Sequence, residues 1–235
     1  MDFSLVLPTK GNLPGLLKLV TSFIDKAKDK DCIEFLIAVD MDDPELYKLE
    51  ESVKGYPVKV FRTYPTDNFN RDYFNWLTWK SCGKSIWCMN DDVVMTTQDW
   101  DEIIREKIHG KEFYFVDTWD TTHEQGGISF PRFPLISRAS VDVIGFLMYP
   151  QVRTYPADRV IYDLYRRLDL IVPCHEVKLQ HDWVESTDPS KSKMLRIFME
   201  DVHNGVFPVN AIIEMYKMTI AMKMEWDGTQ YRPKG

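Results

Sequence analysis

The sequence contains little cysteine, with four residues in 235, at positions 32, 82, 88 and 174. None of them forms a CxxC pair, and none follows the short Cys/His spacings that bind zinc. These absences argue against a disulfide framework and against a cysteine-based zinc site. We expect reduced and mostly buried thiols.

Glycine-rich phosphate-binding motifs are also absent. No GxGxxG follows the first predicted strand, and GxxxxGK[ST] does not occur anywhere in the chain. The turn after that strand, Thr9-Lys10-Gly11-Asn12, has a single glycine and cannot wrap a phosphate. A nucleotide bound here would be held through its base and ribose, with a metal on its diphosphate, and not by a P-loop or a dinucleotide-binding turn.

Long apolar runs and excess positive charge are missing as well. No segment approaches the roughly 20 apolar residues that span a bilayer, and residues 1–10, with an acid at position 2, do not resemble a signal peptide. The net charge of −7 provides no general attraction to nucleic acid or to an anionic membrane. We therefore expect a soluble, cytoplasmic protein without a membrane span.

The chain does contain enough apolar residues for a substantial core, at 44% of its length. Through the first half, apolar runs typical of strands alternate with apolar residues at helical spacing. The pattern predicts strands over 3–8, 33–40, 58–64, 85–89 and 112–119, and helices after Asn12 and over 44–55, 70–82 and 99–110.

This β-α alternation predicts an α/β fold, with a mostly parallel sheet and helices on both faces. No repeat, low-complexity tract or linker interrupts the chain. We therefore expect a single domain over 1–235, with a helical C-terminal portion from about 195 to 235.

Polar residues follow three of the predicted strands at the point where each strand ends. Pro8 and Thr9 end the first, Asp40 ends the second, and Asn90-Asp91-Asp92 follow the fourth. Ligands of parallel α/β sheets bind beyond the carboxyl ends of the strands, so these residues are expected to converge. Two adjacent carboxylates repel unless a cation or hydrogen-bond donors offset them, and hard oxygen ligands suit Mg²⁺ or Mn²⁺. Taken singly, each acid is also typical of a turn or a helix cap.

With these residues in this order, the sequence resembles the GT-A-fold glycosyltransferases, most closely the family 2-like group that uses nucleotide-sugar donors. The matching segments, from FSLVLPTKGN to VKLQHDW, lie within residues 3–185. The resemblance implies a Rossmann-like fold and a nucleotide-diphosphate-sugar donor, with uracil the commonest base in the family. It also implies a divalent cation, Mn²⁺ or Mg²⁺.

The resemblance also implies residues that hold the donor nucleotide. FSLVLPTKGN matches the strand and turn that contact the base, which assigns that contact to Pro8 and Thr9. FLIAVDMDD matches the strand whose terminal acid binds the nucleoside, here Asp40. NFNRDYFNW matches the segment that faces the diphosphate-sugar, which implicates Arg71 and Asn75.

The metal motif of the family falls on Asn90-Asp91-Asp92, with asparagine in place of the usual first acid. We expect Asp92 to bind the metal and Asp91 to face the donor. VKLQHDW resembles a late strand that ends in a metal- or diphosphate-binding histidine, here His181. YPADRVIYDLYRRL resembles the helix that begins with a catalytic acid pair, which reads Ala157-Asp158, so Asp158 takes the role of general base.

The sequence leaves the acceptor and part of the activity open. The favoured function is metal-dependent sugar transfer to a hydroxyl of a glycan, a protein, a small molecule or a hydroxymethylated DNA base. A nucleotidyltransferase would also carry acids at strand ends, but its glycine-rich basic signature is missing. The absent first acid of the catalytic pair keeps a non-catalytic nucleotide-sugar-binding module open, together with either stereochemical outcome. The Met-rich segment 212–226 is expected to pack on the domain itself, and the alternative is packing on a second copy of the chain, giving a homo-oligomer.

Overall fold

The computed structural model describes residues 1–120, 131–153 and 157–181, and the backbone of two short strands near the C-terminus. The first half consists of β1 (Phe3–Thr9), α1 (Leu13–Lys26), β2 (Ile33–Asp40), α2 (Leu46–Ser52), β3 (Val58–Thr63), α3 (Trp76–Lys80) and β4 (Ser85–Cys88). The elements that follow are β5 (Val93–Met95), α4 (Trp100–Lys107), β6 (Phe115–Asp120), β7 (Leu135–Ser137), α5 (Arg138–Ile144), α6 (Ala157–Arg167) and β8 (Ile171–His181).

The eight strands form one sheet in the order β3-β2-β1-β4-β7-β6-β8-β5. The pairs β1–β2, β2–β3, β1–β4 and β6–β8 are parallel, whereas β7 and β5 are antiparallel to their neighbours. Because β7 runs against both β4 and β6, strands β6 and β8 run in the same direction as β1 to β4. We call the edge where these parallel strands end the carboxyl edge, and the opposite edge, where they begin, the amino edge.

Helices cover both faces of the sheet, as predicted. On one face, α1 and α4 pack Phe23 and Trp100 against Trp87 of β4, with ring centroids 5.3 to 5.5 Å apart. On the other face, α3, α5 and α6 bury a second cluster in which Phe115 of β6 lies 5.7 Å from Tyr162 and 5.6 Å from Tyr165. The mixed α/β class and the mostly parallel sheet are confirmed.

Helix α1 illustrates how the sequence determines the local structure. Its apolar residues Leu16, Val20 and Phe23 recur at helical spacing and are fully buried. The side chain of Asn12 caps the helix by accepting a hydrogen bond from the Gly15 amide at 3.2 Å, as the sequence predicts. The first turn of α1 is thereby fixed beside the end of β1.

Several predicted bounds change in the structure. The helix predicted over 70–82 is a π-helical turn over Asn70–Asn75 that continues as α3 and ends at Lys80. Within the portion predicted to be helical from about 195, the structure describes only the antiparallel strands β9 (Met224–Trp226) and β10 (Tyr231–Pro233). The rest of that portion lies outside the described residues. No helix in the described part of the chain is both long and apolar enough to cross a membrane.

Candidate functional site

The carboxyl edge brings the end of β1 against the segment that follows β4. Because these strands are parallel neighbours, Thr9 reaches Asp91, and its hydroxyl donates to Asp91 Oδ2 at 2.5 Å. Burial raises the pKa of the Asp91 carboxyl to about 6, even though the Thr9 hydrogen bond favours the ionised form. Pro8 and Thr9 therefore lie at the predicted edge, with Thr9 bound to the acid predicted to face the donor.

Close packing by Gly15 holds this loop in place. A Cβ atom at Gly15 would lie 2.5 Å from the backbone oxygen of Asp91 and 2.4 Å from the Asn12 amide nitrogen. That amide donates to the same Asp91 backbone oxygen at 3.4 Å. Only glycine allows the first turn of α1 to approach the acidic loop this closely.

The register of β5 against β8 brings Asp92 to His181. Strand β5 begins at Val93, which pairs with His181 in the antiparallel ladder, so the residue before it lies beside the imidazole. Asp92 Oδ2 is 3.2 Å from His181 Nε2, although the two residues are 89 positions apart. His181 is 8% exposed, and its ring packs edge-on against Phe133 at 5.1 Å. The two side chains predicted to bind the metal are thus in contact.

The second carboxylate oxygen of Asp92 indicates which kind of ligand Asp92 and His181 could bind. Asp92 Oδ1 is buried and accepts no hydrogen bond from the described residues, which is costly for a carboxylate. The same residues contain no group of three or more His, Cys, Asp or Glu side chains that could hold a metal by themselves. One carboxylate and one imidazole instead suit a divalent cation that also binds substrate phosphates. The residues therefore fit a cation that arrives with a diphosphate.

Asp40 lies at the same edge, but its carboxylate already has partners. The Tyr73 hydroxyl donates to Oδ1 at 2.5 Å, and the Lys10 ammonium lies 3.2 Å from Oδ2. Burial, followed by the hydrogen bond to Asp40, raises the pKa of Tyr73. Neither Lys10 nor Tyr73 was singled out from the sequence, although Lys10 stands in the polar turn after β1. A nucleoside bound at Asp40 would share it with Lys10.

Arg71 and Asn75, predicted to face the diphosphate-sugar, have partners within the protein. Asn75 is 6% exposed; its amide donates to the Met148 carbonyl at 2.6 Å and accepts from the Leu147 and Met148 amides at 2.9 and 2.8 Å. The guanidinium of Arg71 is exposed and pairs with Asp72 at 2.6 Å. Donor binding by these two residues stays a prediction, and the hydrogen bonds of Asn75 do not favour it.

Asn75 belongs to a set of asparagines that sequence reasoning missed. The Asn68 amide donates to the Pro150 carbonyl at 2.8 Å, and the Asn70 amide donates to the Val152 carbonyl at 2.5 Å. We call Asn68, Asn70 and Asn75 the asparagine latch, because together they hold residues 147–152, the segment that leads towards α6. The closely spaced asparagines of NFNRDYFN were the available signal.

Asp158 is the second residue of α6, as predicted, and its Oδ1 accepts from the Arg159 amide at 2.8 Å. Burial raises the pKa of its carboxyl to about 6, with Arg132 acting in the opposite direction. The pKa of Cys88, the last residue of β4, is raised first by burial and then by the charge of Asp158. Asp158 therefore lies within electrostatic range of the end of β4.

Comparison with known proteins yields structural matches alone. No protein-family model matches the sequence, and a search of curated proteins finds no match. S. aureus TarS matches with a TM-score of 0.62 and 10% identity over 90% of this chain and 41% of TarS. The complex of S. aureus TarS 1-349 with UDP-GlcNAc matches with a TM-score of 0.63 and 11% identity, over 93% of this chain and 72% of that one.

A third match is the mannosyltransferase PcManGT from Pyrobaculum calidifontis, in complex with GDP-Man and Mn²⁺. It has a TM-score of 0.62 and 8% identity over 94% of this chain and 74% of that chain. The chain has a GT-A-type fold. The fold implied by the sequence resemblance is thereby confirmed. The chain spans less than half the length of the full TarS chain that it matches.

Proposed function

We propose that this protein is a metal-dependent glycosyltransferase that moves a sugar from a nucleotide-diphosphate donor, UDP-linked, to a hydroxyl acceptor. The observation that carries the proposal is the contact between Asp92 and His181, built by the β5–β8 register at the carboxyl edge of a GT-A-type sheet. Support also comes from similar solved structures, one holding UDP-GlcNAc and another holding GDP-Man with Mn²⁺.

In this proposal, the ends of β1 and β2 hold the nucleotide through Pro8, Thr9 and Asp40. Asp92 and His181 hold a cation, Mn²⁺ or Mg²⁺, which when bound neutralises the charge of the departing diphosphate. Asp91, tied to Thr9 at 2.5 Å, orients the loop and faces the donor. The unbonded oxygen of Asp92 supports this assignment, because a cation with its phosphate ligands would satisfy it.

Asp158 acts as the general base in this proposal. A carboxylate with a pKa of about 6 is ionised at neutral pH, yet is more basic than an exposed aspartate. It takes the proton of the acceptor hydroxyl as the oxygen bonds to the anomeric carbon and the sugar leaves the diphosphate. The asparagine latch supports the segment that precedes this helix and so fixes the position of the base.

The proposal is tested with a panel of nucleotide sugars, scored for Mn²⁺-dependent binding and for slow hydrolysis by the full chain. At least one donor is expected to bind with metal and to be hydrolysed. Asp158→Asn should retain donor binding but lose transfer, whereas Asp142→Asn, an exposed acid on α5, should change neither. If no donor binds, the function is wrong; if Asp158→Asn turns over normally, Asp158 is not the base.

A further inference from the structure

Strand β8 contains a large bulge beside the end of β6. Thr118 pairs with Cys174, but the next residue, Trp119, pairs with Lys178, so residues 175–177 are extra on β8. Such bulges redirect side chains and are frequent next to functional sites. Here Val177 points into the core and is fully buried, whereas the His175 side chain is 52% exposed.

The bulge places His175 over two side chains of β6. Its Nε2 lies 3.2 Å from Asp117 Oδ2, and its ring contacts the Trp119 indole with centroids 5.7 Å apart. The second oxygen of Asp117, Oδ1, is buried and accepts no hydrogen bond from the described residues. We call Asp117, Trp119 and His175 the bulge cluster.

The bulge cluster lies on the same face of the sheet as α6. Phe115, two residues before Asp117 on β6, packs against Tyr162 of α6 at 5.7 Å. Tyr162 is one helical turn after Asp158, so both residues lie on the same side of that helix. Burial and then the charge of Asp117 raise the pKa of Tyr162, which agrees with this proximity. The bulge cluster therefore lies along β6 on the same face of the sheet as the proposed base, Asp158.

We propose that the bulge cluster is a saccharide-binding subsite that holds the acceptor. A sugar ring has apolar C–H faces and a rim of hydroxyls, and the cluster offers the matching chemistry. The indole of Trp119 and the imidazole of His175 provide apolar surface, while Asp117 Oδ1 accepts a hydrogen bond from a hydroxyl. Saccharide binding is inferred from this geometry alone, whereas the role of the saccharide as the acceptor rests on the proposed function.

The same chemistry disfavours an anionic acceptor. A DNA phosphate would meet the carboxylate of Asp117, whereas the carboxylate of Glu176 in the same bulge is paired with Lys107 at 2.6 Å. Neutral hydroxyls, in contrast, satisfy the unbonded oxygen of Asp117 without a charge penalty. We therefore commit to a neutral saccharide.

Methyl glycosides of glucose, galactose, mannose and N-acetylglucosamine are the probes. Their binding to the full chain is measured by saturation-transfer NMR, and their use as acceptors is measured with the donor found above. His175→Ala removes apolar surface, and Asp117→Asn removes the charge of the accepting carboxylate. Each should weaken glycoside binding and raise the acceptor KM about tenfold. Both should leave donor hydrolysis unchanged.

His109→Ala and Asp142→Asn are matched controls, because both side chains are exposed and lie away from the cluster. Glycoside binding that the two cluster variants weaken and the controls do not supports the subsite. Absence of glycoside binding to the wild-type chain overturns it, as does unchanged affinity in His175→Ala, whose side chain is half-exposed. A serine peptide or a hydroxymethylated DNA oligonucleotide accepted with the same KM by wild type and His175→Ala also overturns it.

Donor measurements separate this inference from the proposed function. A chain that binds no nucleotide sugar but binds a glycoside at the cluster keeps the subsite and rejects the transferase. A chain that hydrolyses the donor but binds no glycoside keeps the transferase and rejects the subsite.

Discussion

Buried or half-buried carboxylates occur at both edges of the sheet, and they differ in their hydrogen bonds. At the amino edge, Glu34 is 2% exposed and accepts from the Ser4 hydroxyl at 2.6 Å and the Lys59 ammonium at 2.8 Å. Burial would raise its pKa, but these bonds, with those from Cys82, lower it to about 2. At the carboxyl edge, burial instead raises the pKa of Asp91 and Asp158 to about 6.

We interpret this contrast as one between structural acids and the acids that we propose to be functional. Asp101, near the amino edge, is also fully buried and also has several donors, including the amides of Lys28 and Asp29 at 2.8 and 3.0 Å. At the carboxyl edge, Asp92 Oδ1 has no hydrogen bond from the described residues. An acid left short of donors costs stability, and such acids cluster where a ligand completes them.

A cleft of about 600 Å³ at the amino edge does not alter this contrast. Its two arginines are committed to the protein: Arg105 binds Asp2 and Asp101 at 3.0 and 2.8 Å, and Arg138 binds the Thr78 and Ser81 carbonyls at 3.0 Å. These two arginines therefore stabilise the fold.

The largest expected effect is on stability, at the amino edge. Glu34→Gln should lower the free energy of unfolding by about 3 kcal/mol, because the neutral amide loses the Lys59 pair and leaves buried donors poorly bonded. Since the folded pKa is depressed, this stabilisation is present above the unfolded value of about 4.5 and is lost as pH falls towards 2. Urea titration measures it.

Glu51→Gln is the matched control, because Glu51 pairs with Lys54 on the surface and is 70% exposed. It should change stability by less than about 0.5 kcal/mol. Equal losses in the two variants would contradict the assignment of Glu34 as a structural acid. Turnover per folded molecule should be unchanged in both.

The asparagine latch gives the next largest effect. Asn75→Ala should cost about 2 kcal/mol, because it leaves the buried amides of Leu147 and Met148 without an acceptor. If Asn75 only supports the segment before α6, kcat should fall while donor affinity stays the same. Weaker donor binding, measured by titration on the folded variant, would instead indicate the donor contact predicted from the sequence.

Gly15→Ala probes the carboxyl edge without touching a charged group. The added methyl should push the Asp91 loop away from α1 and reduce metal-dependent donor affinity about tenfold, equivalent to about 1.4 kcal/mol. Thr21→Ala on the same helix is the control and should leave donor affinity unchanged. Wild-type affinity in Gly15→Ala would show that this contact does not position the acids.

The smallest effect comes from pH. Turnover should be halved near pH 6 and fall about tenfold for each further unit, as Asp158 becomes protonated and cannot act as a base. Because its folded pKa is raised above the unfolded value, Asp158 favours folding at low pH and opposes it as pH rises through about 4 to 6. Asp158→Asn should therefore keep or increase the melting temperature at pH 7, opposite to Glu34→Gln. A flat pH–rate profile between pH 5 and 7 would exclude the base.

Much of the carboxyl edge is predictable from the sequence, because strand ends are local features. The bounds of β2 match the prediction at Ile33–Asp40, and Thr9, Asp40 and Asp91 all fall at the predicted edge. The family resemblance implied metal-binding roles for Asp92 and His181, but their contact depends on the pairing of β5 with β8, which periodicity does not predict.

The rest could not be predicted because it depends on long-range contacts. An asparagine amide binds a backbone carbonyl or a phosphate equally well, so NFNRDYFN could not reveal that Asn75 holds residues 147–148. The bulge that brings His175 to Asp117 arises from the register of β6 against β8, which neither strand encodes by itself.

The central claim is that Asp92 and His181 hold a cation together with the donor diphosphate. Calorimetric titration of UDP and GDP, with and without Mn²⁺, tests it on the wild type, Asp92→Ala and the exposed control Asp142→Ala. We expect the wild type and the control to bind one of these nucleotides at least tenfold more tightly with Mn²⁺, and Asp92→Ala to lose that gain. Equal binding with and without Mn²⁺ in the wild type, or a full Mn²⁺ effect in Asp92→Ala, would contradict the claim.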